Sequence, residues 1–378
     1  MNQMTLQIVE WGLLIVVGIY ILQALLLLWG TFQHQKSKHQ QNAPQVSIIV
    51  AARNEQQTLQ RTIESLLQLD YPQDKLEILL VDDRSEDSTR EIIQRFAQKY
   101  SFIKLIPIRA MIPGLSGKQT AIHTAVQNAR GEYILLTDAD CQVPFSWVKE
   151  IIAYYDERTG MVCGQTELIS QAQKLSLWEG IQAIDWFYLL TAASGACGIG
   201  KPTSCIGNNL SFRKSVYQQI GGFPKIGFSV TEDFALLDAV VRQTTWQVRF
   251  PISSKMTVQS HPVPTVKNLI AQRKRWLIGG KKVRPYGKLL MSTSFFTHLL
   301  IPLTLILTNK LLLVTISFGT VVMADLMLIL RSIIPLHRSS LLRFFPLFEI
   351  AYFLYTTFLA GFIFSKRIHW KGIVYEHK

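Results

Sequence analysis

Four times between Val46 and Val143 a short aliphatic run gives way to a polar break and then to helical spacing. That alternation limits the possible folds more than any other feature of the chain. The runs are Val46–Ala51 (VSIIVA), Leu76–Val81, Phe102–Pro107 and the stretch opening at Tyr133-Ile134-Leu135-Leu136. Stretches this short and apolar fit strands buried on both faces. Between them, Leu59, Ile63, Leu66 and Leu67 mark a helix over Glu55–Leu69, and Ile92, Ile93 and Phe96 mark another over Asp87–Tyr100. Gly117–Ala129 is a third. A β-α-β-α-β-α-β order predicts an α/β fold built on a doubly wound, largely parallel sheet.

Three of the strands end in acids: Glu55 after the first, Asp82 and Asp83 after the second, Asp138 and Asp140 after the fourth. Open α/β sheets bind ligands at the carboxyl ends of their strands. Residues two apart in extended backbone point the same way, so Asp138 and Asp140 are expected to reach one spot. Paired carboxylate oxygens suit Mg²⁺ or Mn²⁺, ions that usually serve a substrate's phosphates. One Asp-X-Asp is most often a solvated turn; recurrence at three strand ends points to a site.

The 378 residues exceed one minimal domain, and a hydrophobic content of 48% implies membrane spans. Trp11–Gly30 is a 20-residue uncharged run, long enough to cross a bilayer. A signal peptide fits poorly: Glu10 precedes the run and no Ala-X-Ala follows. Lys36 and Lys38 after it place the next domain in the cytoplasm by the positive-inside rule. The net charge of +13 lies beside apolar segments, which favours an anionic membrane over nucleic acid. Cys141, Cys163, Cys197 and Cys205 show no CxxC pairing and read as reduced.

The second half is less regular. Lys174–Ala193 carries Trp178, Trp186, Phe187 and Tyr188 and reads either as a core helix or as an interfacial one. Thr231-Glu232-Asp233 precedes helical spacing, where the bland reading is an N-cap with acids in the first turn. Lys267–Lys288 holds eight Lys or Arg and no acid. Inside it Gln272, Arg275 and Trp276 share one helical face, while Arg273 and Lys274 point elsewhere, toward lipid headgroups. Phe295–Leu330 is apolar over about two membrane lengths, and Phe344–Phe364 is a further candidate span. Three crossings are preferred, with Phe295–Thr308 re-entrant or interfacial.

The segments SIIVAARNE (Ser47–Glu55), VDDRSEDST (Val81–Thr89), Gly117-Lys118, TDAD (Thr137–Asp140), TED (Thr231–Asp233) and QRKRW (Gln272–Trp276) occur together in this order. The chain thereby resembles family-2 glycosyltransferases of the GT-A fold. It is similar in layout to membrane-bound members: ceramide glucosyltransferase-like and carotenoid glycosyltransferases, and small hyaluronan or poly-N-acetylglucosamine synthases. The resemblance implies a nucleotide-sugar donor, most often UDP-linked. It implies that Glu55 and Asp82 hold the nucleoside with Asp83 and Lys118 nearby, that Asp138 faces the ribose or phosphate, and that Asp140 binds the metal. It further implies Asp233 as general base, with Arg275 and Trp276 of the Gln272 motif at the leaving group and acceptor. The expected organisation is an anchor over 1–32, a linker over 33–45, a GT-A catalytic domain over 46–265, basic interfacial helices over 266–290, a membrane region over 291–365 and a basic tail over 366–378. The expected reaction is inverting transfer to a lipid or isoprenoid acceptor by an integral membrane protein, with no nucleic-acid partner. A small processive polysaccharide synthase is the alternative.

Overall fold

The computed structural model describes residues 3–37, 43–172, 174–359, 367–370 and 373–376. They form two units. One comprises 33–171 and 204–261; the other comprises 1–32, 172–203 and 262–378.

The first unit carries a seven-stranded sheet. Its strands are β1 (Val46–Ala52), β2 (Leu76–Asp82), β3 (Ile103–Pro107), β4 (Tyr133–Asp138) and β5 (Thr159–Cys163), and, after the short β6 (Thr166–Leu168), β7 (Leu210–Arg213) and β8 (Gln247–Arg249). The order is β3-β2-β1-β4-β7-β5-β8, with β6 pairing separately beside β9 (Val258–Ser260). β1 runs parallel to β2 and β4, and β2 parallel to β3. β7 is antiparallel to β4 and β5. The mostly parallel α/β sheet is therefore the one the alternation predicts. Strand order reverses at β1, whose neighbours are β2 on one side and β4 on the other. Such a switch point opens a crevice at the strand ends. Buried Ile48, Val50, Ile78, Leu80 and Leu135 pack one core beneath it.

The first helix begins at Leu59, four residues later than expected. The backbone before it is committed elsewhere: Glu55 donates its N–H to Thr89 Oγ1 (2.8 Å) and Gln56 to Asp87 Oδ2 (3.1 Å). These bonds lace the loop after β1 to the loop after β2. Asn54 and Arg84 hold positive φ there, at 55° and 58°.

Among the described residues, the second unit holds three helices long and apolar enough to cross a membrane: Gln3–Gly30, Pro285–Thr308 and Leu311–Ile333. Phe295–Thr308, expected to be re-entrant or interfacial, lies within a longer helix. That helix starts ten residues earlier, at Pro285, and continues through Pro302 for 24 residues. Its buried Thr293, Thr297, His298 and Thr304 dilute the hydropathy that a sequence window reads. A left-handed Asn309 then ends it. Phe345–Leu359 is a further helix. Residues 360–364 of the expected last span, and Lys38 of the charge argument, lie outside the described residues.

Residues 172–203 group with the membrane helices, inside what the sequence marks as one catalytic domain. Their helix, Leu177–Gly198, opens on a capping box of Ser176 and Glu179 and is buried along most of its length. Gly195 and Gly198 lie against the backbone of Leu27 and Gly30, where any Cβ would collide. Small residues let membrane helices approach this closely.

Candidate active site

The β1 end organises the site. Ala52 pairs in register with Asp82, and Ala51 with Asp138. The two residues therefore flank β1, their backbones about 10 Å apart across two strand spacings. Asp82 is buried, and its Oδ1 accepts the N–H of Ser85 at 3.0 Å. Asp83 is also buried; its Oδ1 accepts from Arg84 Nε at 2.9 Å. Its Oδ2 lies where a Cβ on Gly117 would stand, so glycine lets the following helix begin against this carboxylate. Glu55 is half-buried, with Thr58 Oγ1 donating to its Oε2 at 3.0 Å.

Asp138 is the last residue of β4, and residues 139–140 are a turn. Cys141 N–H closes it on the Asp138 carbonyl at 3.2 Å. The strand-alternation argument for Asp138 and Asp140 therefore does not hold: a turn carries Asp140, because β4 has run out of partners. Both residues are half-buried.

Lys118 gathers the acids. Its Nζ lies 2.6 Å from Asp138 Oδ1 and 2.9 Å from Glu232 Oε1. Burial opposes the charged ammonium, but these two carboxylates outweigh it and hold the Lys118 pKa well above its ordinary value. Glu232 opens the Glu232–Gln243 helix, and Asp233 follows it. The Gly207 backbone runs close over both: a Cβ there would sit 3.3 Å from Glu232 Oε1 and 3.4 Å from Asp233 Oδ2. The Thr231 side chain makes no cap hydrogen bond, so the N-cap reading of Thr-Glu-Asp fails at its threonine. The first unit thus joins the TDAD and TED segments through one lysine.

Glu232 escaped the sequence reading. The signal available was the GKxx…TED order, which names no partner for the lysine. Gln119 also escaped it. It is fully buried, donates Nε2 to the Gly227 carbonyl (2.8 Å) and accepts the Ser229 N–H (3.0 Å), fixing the segment that leads into Thr231. Cys141 and Cys205 are buried bystanders. Burial and then the charges of Asp140 and Asp138 push the Cys141 thiol up. A hydrogen bond to Cys163 and burial push Cys205 up. His261 Nδ1 lies 3.0 Å from the Ile169 carbonyl.

Gln272, Arg275 and Trp276 belong to the second unit, on the Val266–Gly279 helix, and all three are half-buried. Arg273, expected among lipid headgroups, is instead buried against Asp185 in an ion pair. Its chain position gives no sign of this, since the partner lies 88 residues earlier.

Among the described residues no three His, Cys, Asp or Glu side chains are grouped to hold an ion. One or two carboxylates at a site shared with phosphates is the usual way a protein holds Mg²⁺, and Asp138 with Asp140 fits that donor set.

The mostly parallel sheet with its flanking helices is of the GT-A fold class. Residues 47–221 match Glycosyl transferase family 2. The chain is 27% identical over 284 residues to the probable glycosyltransferase YdaM of Bacillus subtilis, covering 71% of this chain and 64% of that protein. It is 28% identical over 308 residues to the beta-monoglucosyldiacylglycerol synthase of Trichormus variabilis, covering 78% of this chain and 62% of that protein. It thus spans just under two thirds of the length of these relatives. Among solved structures, the mannosyltransferase PcManGT from Pyrobaculum calidifontis, in complex with GDP-Man and Mn²⁺, matches with a TM-score of 0.56 at 18% identity. That match covers 93% of this chain and 98% of that one, and is a likeness of fold.

Proposed function

We propose that this chain is a membrane-bound inverting glycosyltransferase. It moves a sugar from a UDP-linked donor to a lipid or isoprenoid acceptor at the cytoplasmic face. The observation that carries the reading is the Lys118 bridge between Asp138 and Glu232, with Asp233 beside it under Gly207. It ties Asp138, at the end of β4, to Glu232, whose neighbour Asp233 is the carboxylate suited to proton removal.

In this reading Glu55, Asp82 and Asp83 hold the nucleoside. Asp140, with Asp138, holds Mg²⁺ or Mn²⁺. When bound, the ion supplies positive charge opposite the departing diphosphate. Lys118 fixes Asp138 and Glu232 in one orientation, so the site is set before the donor arrives. Asp233 takes the proton from the acceptor hydroxyl as its oxygen bonds to the anomeric carbon. The bond from that carbon to the diphosphate oxygen breaks with its electron pair, inverting the configuration. For Gln272, Arg275 and Trp276 the support is the motif: Arg275 as a cationic contact for the leaving group, Trp276 as an apolar face for the acceptor. The lipid acceptor is supported by three apolar helices on the same chain and by similarity to a lipid glucosyltransferase. The basic Lys267–Lys288 stretch suits an anionic cytoplasmic leaflet.

The test is UDP release by membranes carrying the chain, supplied with UDP-sugars, Mn²⁺ and added lipid. Lipid-stimulated release that Asp233→Asn abolishes is expected. Equal release by wild type and Asp233→Asn would refute the reading.

A further inference from the structure

Arg273 uses only part of its guanidinium. One nitrogen, Nη2, pairs with Asp185 Oδ2, and Asp185 Oδ1 accepts the Tyr355 hydroxyl at 2.6 Å. Among the described residues, Arg273 Nε and Nη1 and the indole nitrogen of Trp186 meet no hydrogen-bond partner. Yet Arg273 is only 7% exposed and Trp186 8%. These donors share a small volume. The guanidinium carbon lies 4.3 Å from the Trp276 ring centre and 6.0 Å from that of Trp186, and the two indoles are 5.2 Å apart. All of these residues belong to the unit that holds the three membrane-length helices. Three donor nitrogens therefore crowd together without an acceptor, and buried donors in folded proteins are as a rule paired.

We propose that Arg273 and Trp186 form a headgroup subsite for the lipid acceptor, donating to a neutral oxygen such as the ester carbonyl of an acylglycerol. The proposal rests on the lipid-acceptor reading above and names its substrate class. Charge selects the ligand. Asp185 already cancels Arg273, so the subsite offers donors without net charge. A neutral ester oxygen pairs with them and leaves no charge uncompensated. A phosphate monoester would bring buried negative charge to an arginine that Asp185 already neutralises. The faces of Trp186 and Trp276 supply apolar cover for glycerol carbons, with the polar indole tip left to bond the carbonyl.

The test is equilibrium binding of radiolabelled dioleoylglycerol, compared with dioleoylphosphatidic acid, to the purified full-length protein in detergent micelles. It needs neither donor nor turnover. Wild type is expected to prefer the glyceride. Trp186→Phe keeps a ring and removes the N–H, and should weaken glyceride binding about 3- to 10-fold. Asp185→Asn leaves Arg273 uncompensated and should shift preference toward phosphatidic acid. Melting temperatures check that each variant folds; if Asp185→Asn does not, Trp186→Phe decides. Unchanged glyceride binding by a folded Trp186→Phe overturns the proposal, as does a wild type that prefers phosphatidic acid or binds neither lipid. Sugar transfer to a glyceride with binding insensitive to Trp186→Phe would sink the subsite and spare the enzyme. The reverse outcome, sensitive binding without transfer, would sink the enzyme and spare the subsite.

Discussion

Asp233 and Asp140 are both half-buried carboxylates, and the roles proposed for them separate in experiment. Asp233→Asn preserves shape and removes the base. It should cut turnover roughly 10²–10⁴-fold while UDP binding stays near wild type. Steady-state rates beside nucleotide titration would show this, and retained turnover would exclude Asp233 as base. Asp140→Ala should instead weaken Mn²⁺-dependent UDP binding and leave metal-free binding unchanged, as calorimetry with and without chelator can measure. At this scale the sequence was only partly readable. Every acid at a strand end could be picked out, because each follows an apolar run. The partner of Lys118 could not, since Glu232 lies far along the chain and only folding brings it to 2.9 Å. Arg273 misled for a related reason: a charge within a basic run looks solvated until its partner Asp185 is known.

Among elements, the Gly117–Asn128 helix does more than cover the sheet. Its N-terminal Lys118 and Gln119 hold the Glu232 carboxylate and the Gly227–Ser229 segment, respectively. Gln119→Ala should free that segment, lowering turnover with little change in donor KM. Gln119→Glu, which keeps an acceptor for Ser229, should recover part of the rate. Equal loss in both would mean that only packing is at stake. At the opposite end of β2, Glu77 is buried. Burial raises its pKa, but the Arg130 N–H, Ser47 hydroxyl, Lys104 and the Arg130 side chain overcome that and bring it down to about 2 from 4.5. A lowered folded pKa means stability present above the unfolded value and lost as pH falls toward the folded one. Glu77→Gln should therefore cost about 3 kcal/mol near neutral pH, and the gap to wild type should close between about pH 4.5 and 2. Detergent-phase unfolding at several pH values would reveal a constant gap if the assignment is wrong. Strands and helices were legible in the sequence because period and β-branching are local signals. The helix at Pro285 was placed too late because Gly287-Lys288 and Ser292-Thr293-Ser294, ahead of Phe295, read as polar.

The whole molecule sets a family-2 glycosyltransferase domain in the same chain as three helices of membrane-spanning length. The strand alternation and the apolar runs announced both parts. The sequence leaves the grouping of residues 172–203 with the membrane helices open between a core and an interfacial helix, because the close approach of Gly195 and Gly198 to the Gln3–Gly30 helix is not a local signal. The central claim is that the chain transfers a single sugar to a lipid. The most direct measurement is product partition: membranes incubated with labelled UDP-sugars and Mn²⁺ or Mg²⁺, Asp233→Asn in parallel, then extraction into organic solvent. The account predicts an organic-soluble product carrying one labelled sugar and absent from the variant. Label confined to a long aqueous polymer would contradict it and make the chain a polysaccharide synthase.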